Sequence, residues 1–276
     1  GLSDERYLRF LWWVKTGKHL NLENPQTYNE KLQWLKLYDH RPGYTVMADK
    51  YLVKQYVADK IGSQYVVPLL GVWDRPEDIE WDKLPDRFVV KCSHDSGGIV
   101  ICWDKSELDT VQAAKKLKEA FGKNYYYAGR EWPYKNIRRR VFAEQLLEDS
   151  SGDLKDYKIF CFDGEPRMVQ LDYNRFTGHL RNLYTPQWER IDATICFPTD
   201  PDSNFPKPSV LDEMLELSRK LSAGMPHVRT DFYIADSRIY FGELTFYPGS
   251  GMEKITPEEM DYEMGSWIDL SKVNRK

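Results

Sequence analysis

Short strand-forming runs joined in pairs by tight-turn residues recur along this chain, and they limit its fold more than any other feature. Tyr157–Phe162 and Arg167–Leu171 flank Asp163-Gly164, a strong hairpin turn. Val228–Ile234 and Arg238–Phe246 are joined in the same way across Ala235–Ser237. Phe88–Lys91 passes through Ser-His-Asp-Ser-Gly-Gly and returns as Ile99–Trp103, with a flexible tip at Gly97 and Gly98. Strands connected this way lie antiparallel. Helical patterns fall between them. Tyr28, Leu32, Leu35 and Tyr38 recur at helical spacing behind a Thr27/Glu30 capping box. Further helices are expected from Ala48 to Ile61, stopping at Gly62, over Thr110–Phe121 and over Val210–Ala223. Tyr65–Trp73 reads as a strand that Pro68 places at an edge or bulge, and Val141–Leu147 as another strand. Glu148–Lys155 and Thr194–Pro208 read as loops. The expected class is α+β, antiparallel hairpins backed by helices behind a helical N-terminal segment.

The 276 residues suffice for two compact domains. Hydrophobic residues at 41% and charged residues at 30% are the balance of a soluble globular protein. A net charge of -4 argues against a nucleic-acid partner held by bulk electrostatics. Basic residues cluster only at Lys135–Arg140, a solvated face or a contact for a phosphate-bearing substrate. Cys92, Cys102, Cys161 and Cys196 stand too far apart for a zinc or disulfide framework, and the first three lie in apolar strand-like runs. The apolar stretch Leu8–Val14 is too short to span a bilayer, which takes about 20 residues. No signal-peptide pattern is visible, although a start at Gly1 leaves room for a trimmed segment, and a cytoplasmic location is expected. No pattern specifies an oligomeric state.

The last hairpin carries the most chemistry. Arg229-Thr-Asp231 and Glu243-Leu-Thr245 each send their first and third side chains to one face. In register, that face holds Arg229, Asp231, Glu243 and Thr245. Neighbouring carboxylates repel unless a cation lies between them. A magnesium ion with oxygen ligands would satisfy the pattern, and so would a simple Arg–Asp pair. Val89-Val90-Lys91 before Ser96-Gly97-Gly98 places a point charge and close-approaching backbone amides where a phosphate could bind.

Together these segments resemble the ATP-grasp superfamily. Glu243-Leu-Thr-Phe-Tyr-Pro248-Gly249 resembles its closing metal motif, with Thr245 in place of the usual Asn, and Arg229-x-Asp231 resembles the R-x-D before it. Asp49-Lys50, then Gly62 and Val67-Pro68, is similar to the entry motif whose lysine contacts phosphate. Ala143–Leu147 resembles the hinge that reads adenine, through Glu144 and the backbone at Gln145 and Leu147. Asp156-Tyr-Lys158 resembles a ribose-side acid and the cation that follows it, and Arg181-Asn182 a substrate and phosphate contact. The run from Asn24 (NPQTYNEKLQWLKLYD) and that from Gly242 (GELTFYPGSG) closely resemble the TupA-like ATP-grasp family of bacterial surface-polysaccharide clusters.

The resemblance implies a helical segment over 1–75, a small ATP-grasp subdomain with a glycine lid over 76–147, and a metal-bearing subdomain over 148–276. It implies ATP and magnesium, with Asp231, Glu243 and Thr245 as metal ligands. Lys50, Lys91, Gly97, Gly98, Glu144, Gln145, Leu147, Asp156 and Lys158 would contact nucleotide. Arg229 and Lys91 would be catalytic, and Arg181, Asn182 and His94 would face substrate. The implied reaction joins a carboxylate, in this setting a uronic acid or polysaccharide, to an amine such as an amino acid through an acyl phosphate. Three alternatives stand beside it: a glycosyltransferase using Asp200-Pro-Asp202 as a D-x-D motif, an ATP-grasp sugar kinase, and a nucleotide-binding protein without turnover.

Overall fold

The computed structural model describes residues 2–150, 152, 154–174 and 178–273. Helices α1 (Asp4–Thr16), α2 (Tyr28–Tyr38), α3 (Gly43–Ala48) and α4 (Val53–Ile61) lead to strand β1 (Leu69–Trp73). There follow β2 (Phe88–Cys92), β3 (Ile99–Cys102), α5 (Thr110–Phe121), α6 (Tyr126–Gly129) and β4 (Val141–Gln145). Beyond these come β5 (Asp156–Phe162), β6 (Glu165–Tyr173), β7 (Leu180–Tyr184), β8 (Arg190–Ile191) and β9 (Thr194–Ile195). The chain closes with α7 (Leu211–Ser222), β10 (His227–Ala235), β11 (Arg238–Thr245), β12 (Ile255–Thr256) and α8 (Glu258–Ser266). Residues 41–148 form one compact unit, and residues 1–40 with 149–276 form the other. In the expected loop after Glu148, positions 151 and 153 lie outside the described residues.

In the 41–148 unit, the sheet order is β1-β4-β2-β3, all antiparallel. Phe88, Val90, Cys92, Val141 and Ala143 alternate onto one face and pack on Ala113, Leu117 and Ala120 of α5. Alternation sends Val89, Lys91, Phe142 and Glu144 to the opposite face. The single helix anticipated over Ala48–Ile61 is divided. Asp49 takes an extended backbone, and its Oδ1 accepts the N–H groups of Tyr51 and Leu52 at 2.9 and 3.1 Å. That local cap competes with helix continuation, so α4 starts afresh at Val53.

In the other unit, six antiparallel strands run β11-β10-β5-β6-β7-β8. Both two-residue turns, Asp163-Gly164 and Asp236-Ser237, have positive φ at both positions, the type I′ geometry that matches strand twist. Helix α7 packs on β5, β6 and β10, with Ser218 Oγ 2.7 Å from Thr230 Oγ1. The opposite face is apolar at one end, where Phe160, Phe162 and His227 lie under Tyr28 of α2, and Trp267 packs edge-on against Phe162. The segment expected as a loop over Thr194–Pro208 contains β9, because Ile195 is buried opposite Ile255 of β12.

His227 gives this packing a pH dependence. Its Nδ1 lies 3.0 Å from the Cys161 carbonyl and its Nε2 2.9 Å from the Tyr28 hydroxyl, an arrangement that suits a neutral ring donating from Nδ1. Burial lowers its pKa to about 3. Below the ordinary histidine value of about 6.5 the unfolded chain binds a proton that the folded ring refuses. Stability is therefore expected to fall as pH drops from about 6.5 towards 3, by about 1.4 kcal/mol per unit from this residue alone. Urea unfolding of wild type and His227→Gln at pH 7 and pH 5 checks it, since the variant should lose the added acid sensitivity.

Candidate functional site

The charged half of the six-stranded sheet is built by period-two alternation. Arg229 lies opposite Thr245 and Asp231 opposite Glu243, while β5 sets Lys158 beside Asp231 and Phe160 beside Arg229. A bulge follows at once: Asp231 pairs with Glu243, but Phe232 pairs with Phe241, leaving Gly242 as the extra residue. A Cβ there would lie 3.1 Å from the Tyr233 ring and 3.2 Å from the Asp231 carbonyl oxygen, so the bulge is built on a residue without a side chain.

Arg229 donates from Nε and Nη2 to the two oxygens of Asp231 at 2.7 Å each. Nη2 also lies 3.3 Å from Thr245 Oγ1 and 3.8 Å from Glu243 Oε1. Lys158 donates to Asp231 Oδ2 at 2.9 Å and to Asp156. Burial works against both cations, but the adjoining carboxylates, Asp231 for Arg229 and Asp156 for Lys158, hold their pKa values above the ordinary range. The cation that the carboxylate pair requires is thus supplied first by the protein's own guanidinium.

The same face continues across β6 and β7. Asp172 lies opposite both Asp156 and Arg181. Arg181 donates to both Asp172 oxygens at 2.7 and 3.1 Å and to the Ile195 carbonyl at 2.9 Å. Burial would raise the Asp172 pKa, yet Arg181 holds it below the usual carboxylate range. Asn182, the next residue, points to the other face. Its Oδ1 accepts from Tyr173 and Thr199, and its Nδ2 donates to Tyr184 and Ser203, which fills its hydrogen-bonding capacity. The structure therefore separates Arg181 and Asn182, and Asn182 anchors the 199–203 loop.

Several residues around this face were not singled out from the sequence. Asn29, Gln33 and Lys36 form a polar, buried stripe on α2. Gln33 Nε2 donates to the carbonyls of Ser250 and Gly251 at 3.0 and 2.7 Å. Lys36 Nζ donates to the carbonyl and hydroxyl of Ser250 at 2.8 and 2.9 Å, and Asn29 Nδ2 donates to the Glu253 carbonyl at 3.0 Å. They fix the turn Pro248–Gly251, whose last three residues have φ of 53, 56 and 61°, just beyond the Glu243–Thr245 strand. The available signal was their i, i+4, i+7 spacing on one side of a helix.

The 41–148 unit has its own charged cluster. On the face away from α5, Glu144 is bonded through Oε1 by Lys91 and through Oε2 by Lys54 Nζ at 2.6 Å. Burial would raise the Glu144 pKa, but Lys91 and Lys54 hold it below the ordinary value. Lys54 was another residue that the sequence did not single out. Lys50 is half-buried, and its backbone N–H donates to the Ser93 carbonyl at 2.9 Å. Gln145 is exposed and its N–H donates to the Pro68 carbonyl at 3.0 Å, while Leu147 lies just past the end of β4.

The glycine segment divides in character. A Cβ on Gly97 would meet nothing within 4 Å, whereas one on Gly98 would lie 2.7 Å from Cys92 Sγ and 2.8 Å from the Ala120 Cβ. Gly98 N–H donates to both Asp95 oxygens at 3.1 Å. His94 is drawn inward: its ring packs edge-on against Phe121 and its Nε2 lies 3.1 Å from the Lys123 carbonyl. Burial lowers its pKa. It sits towards α5, away from the Lys91 face. Asp200 of the D-x-D triplet accepts the Asp202 N–H at 3.0 Å, a local turn.

The donor set around Glu243 fits a hard cation: two carboxylates and a hydroxyl share one face, and Asp231 Oδ1 accepts only one of the hydrogen bonds described. Among the described residues, no three His, Cys, Asp or Glu side chains gather as a metal cage. Magnesium there would need further oxygens, as phosphates supply. No helix among those residues is long and apolar enough to cross a membrane.

No curated protein matches the sequence. The D-alanine–D-alanine ligase of Bacillus anthracis is similar in structure with a TM-score of 0.48 and 16% identity, over 82% of this chain and 68% of that one. The corresponding enzyme of Helicobacter pylori has a TM-score of 0.41 and 16% identity, over 81% and 62%. N5-carboxyaminoimidazole synthase of Aspergillus clavatus has a TM-score of 0.42 and 12% identity, over 73% and 44%. The chain thus spans less than two thirds of the last two. A family model described as TupA-like ATPgrasp matches residues 30–269, most of the sequence, and the chain belongs to that family.

Proposed function

We propose that this chain is an ADP-forming ligase that uses Mg-ATP to activate a carboxylate for attack by an amine. The observation that carries the reading is the in-register pairing of Arg229-x-Asp231 with Glu243-x-Thr245 on one charged sheet face. In this reading residues 76–147 work as the lidded nucleotide subdomain and 148–276 as the metal-bearing one. Lys50, Lys91 and Lys158 neutralise the triphosphate, and the Gly97-Gly98 segment approaches it closely, the Gly98 amide leaving Asp95 to do so. Glu144, with the backbone of Gln145 and Leu147, reads the base, and Asp156 the ribose. Asp231, Glu243 and Thr245 hold magnesium, which when bound lowers the cost of charge gathering on the phosphates.

A carboxylate oxygen attacks the γ-phosphorus, the bond to the β-phosphate oxygen breaks, and ADP leaves. The amine then attacks the acyl carbon, inorganic phosphate departs, and the amine loses a proton. The chain's contribution is positioning and charge stabilisation. Arg229, fixed by Asp231, faces the transferring phosphoryl group and then the tetrahedral oxyanion. From the family's polysaccharide setting we take the acceptor to be a uronic acid or a polysaccharide bearing one, the amine to be an amino acid, and the site of action to be the cytoplasm.

Titration calorimetry of the full chain in magnesium tests the nucleotide half. ATP is expected to give saturable heat that Lys91→Met weakens by about tenfold or more, the size of one charge-assisted contact. Heat with UDP-sugars and none with ATP would favour a glycosyltransferase instead.

A further inference from the structure

Glu144 has two lysines, and they are held differently. Lys54 comes from α4, donates to Glu144 Oε2 at 2.6 Å and to the Val67 carbonyl at 3.1 Å, and lies 5.7 Å from the Phe142 ring centroid. Its side chain is 14% exposed. Lys91 comes from β2, bonds Oε1, and is 24% exposed. One lysine is tethered at three points inside the unit, and the other is more open to solvent.

We infer that Lys54 is a positioning residue: it is the fixed counter-ion of Glu144, and its presence lets Lys91 leave that carboxylate for a nucleotide phosphate. The inference rests on the ATP reading above and deepens it. A carboxylate buried to this degree is strongly disfavoured if stranded without a cation. Were Lys91 the only partner, every phosphate contact it made would leave Glu144 uncompensated. With Lys54 in place, Glu144 stays paired through Oε2, and Oε1, vacated by Lys91, becomes free to accept an N–H from the base. Lys91 then delivers its charge to phosphate without leaving an orphan behind. The arrangement also explains why the two lysines reach opposite oxygens of one carboxylate.

The test is Mg-ATP titration of the full chain in a set of variants, with melting temperature recorded for each. Lys54→Met is expected to weaken ATP binding by about tenfold or more, because Glu144 then retains Lys91. Lys54→Gln keeps hydrogen-bonding capacity without charge and should show the same loss, which covers the case in which the methionine variant does not fold. Lys54→Arg should stay within about threefold of wild type. The informative combination is Lys54→Gln with Glu144→Gln. Removing the carboxylate's charge releases Lys91, so the double variant should bind ATP like Glu144→Gln alone rather than showing both losses. Additive losses, or Lys54→Gln binding within twofold of wild type, would overturn the lysine's role. If wild type itself binds no Mg-ATP, the nucleotide reading fails and this inference with it.

Discussion

Glu243→Gln is expected to reduce ADP release by about a hundred- to a thousand-fold while shifting the melting temperature by no more than about 2 °C. The two effects separate because of where the carboxylate stands. Its side chain is 36% exposed, and its distances to the Thr245 hydroxyl and to Arg229 are long, 3.3 Å and 3.8 Å. Glutamine keeps the shape and removes the charge. Arg229 keeps its bidentate partner Asp231, so its guanidinium is not orphaned. On the proposed reading, what disappears is an anionic ligand for magnesium. A coupled ADP assay across magnesium concentrations, beside a thermal melt, checks it; wild-type turnover in the variant would remove Glu243 from the site.

Asp231→Asn should behave differently, with activity lost and the fold weakened by about 3–5 kcal/mol. Asp231 is 1% exposed and neutralises two buried cations, Arg229 and Lys158. Asparagine can accept at one atom only, and it turns an amide donor towards one of those cations. Removing one member of a buried network leaves its partners charged and unpaired, which costs more than the pairing itself contributed. Denaturant unfolding should show a lower midpoint with an unchanged slope. Wild-type stability in this variant would mean that the network is solvated.

These contrasts show what the sequence could reveal. Arg229, Asp231, Glu243 and Thr245 were readable as one face because strand alternation has a period of two and a turn over Ala235–Ser237, three residues, keeps the two trios in phase. The observed turn is two residues long, which alone would set Glu243 opposite Thr230; the extra residue of the bulge at Gly242 shifts the register by one and brings Glu243 opposite Asp231. The same rule separates Arg181 from Asn182, since adjacent strand residues face opposite ways. His94 could not be placed in advance: it follows the end of a strand, and its direction is set by Phe121 and Lys123, distant in sequence. Lys54 was hidden for a similar reason, its partner Glu144 lying ninety residues away. Gln33 and Lys36 look like solvent-facing helix residues until the turn they hold is known. Asp49 favoured its own cap over the helix, a local competition that hydrophobic periodicity does not record.

The most direct test of the central claim is a phosphorus NMR time course of the full chain with Mg-ATP, pooled uronic acids and pooled amino acids. ADP and inorganic phosphate should appear in equal amounts, and only when carboxylate and amine are both present. A lasting phosphate ester on the sugar, formed without any amine, would contradict the account.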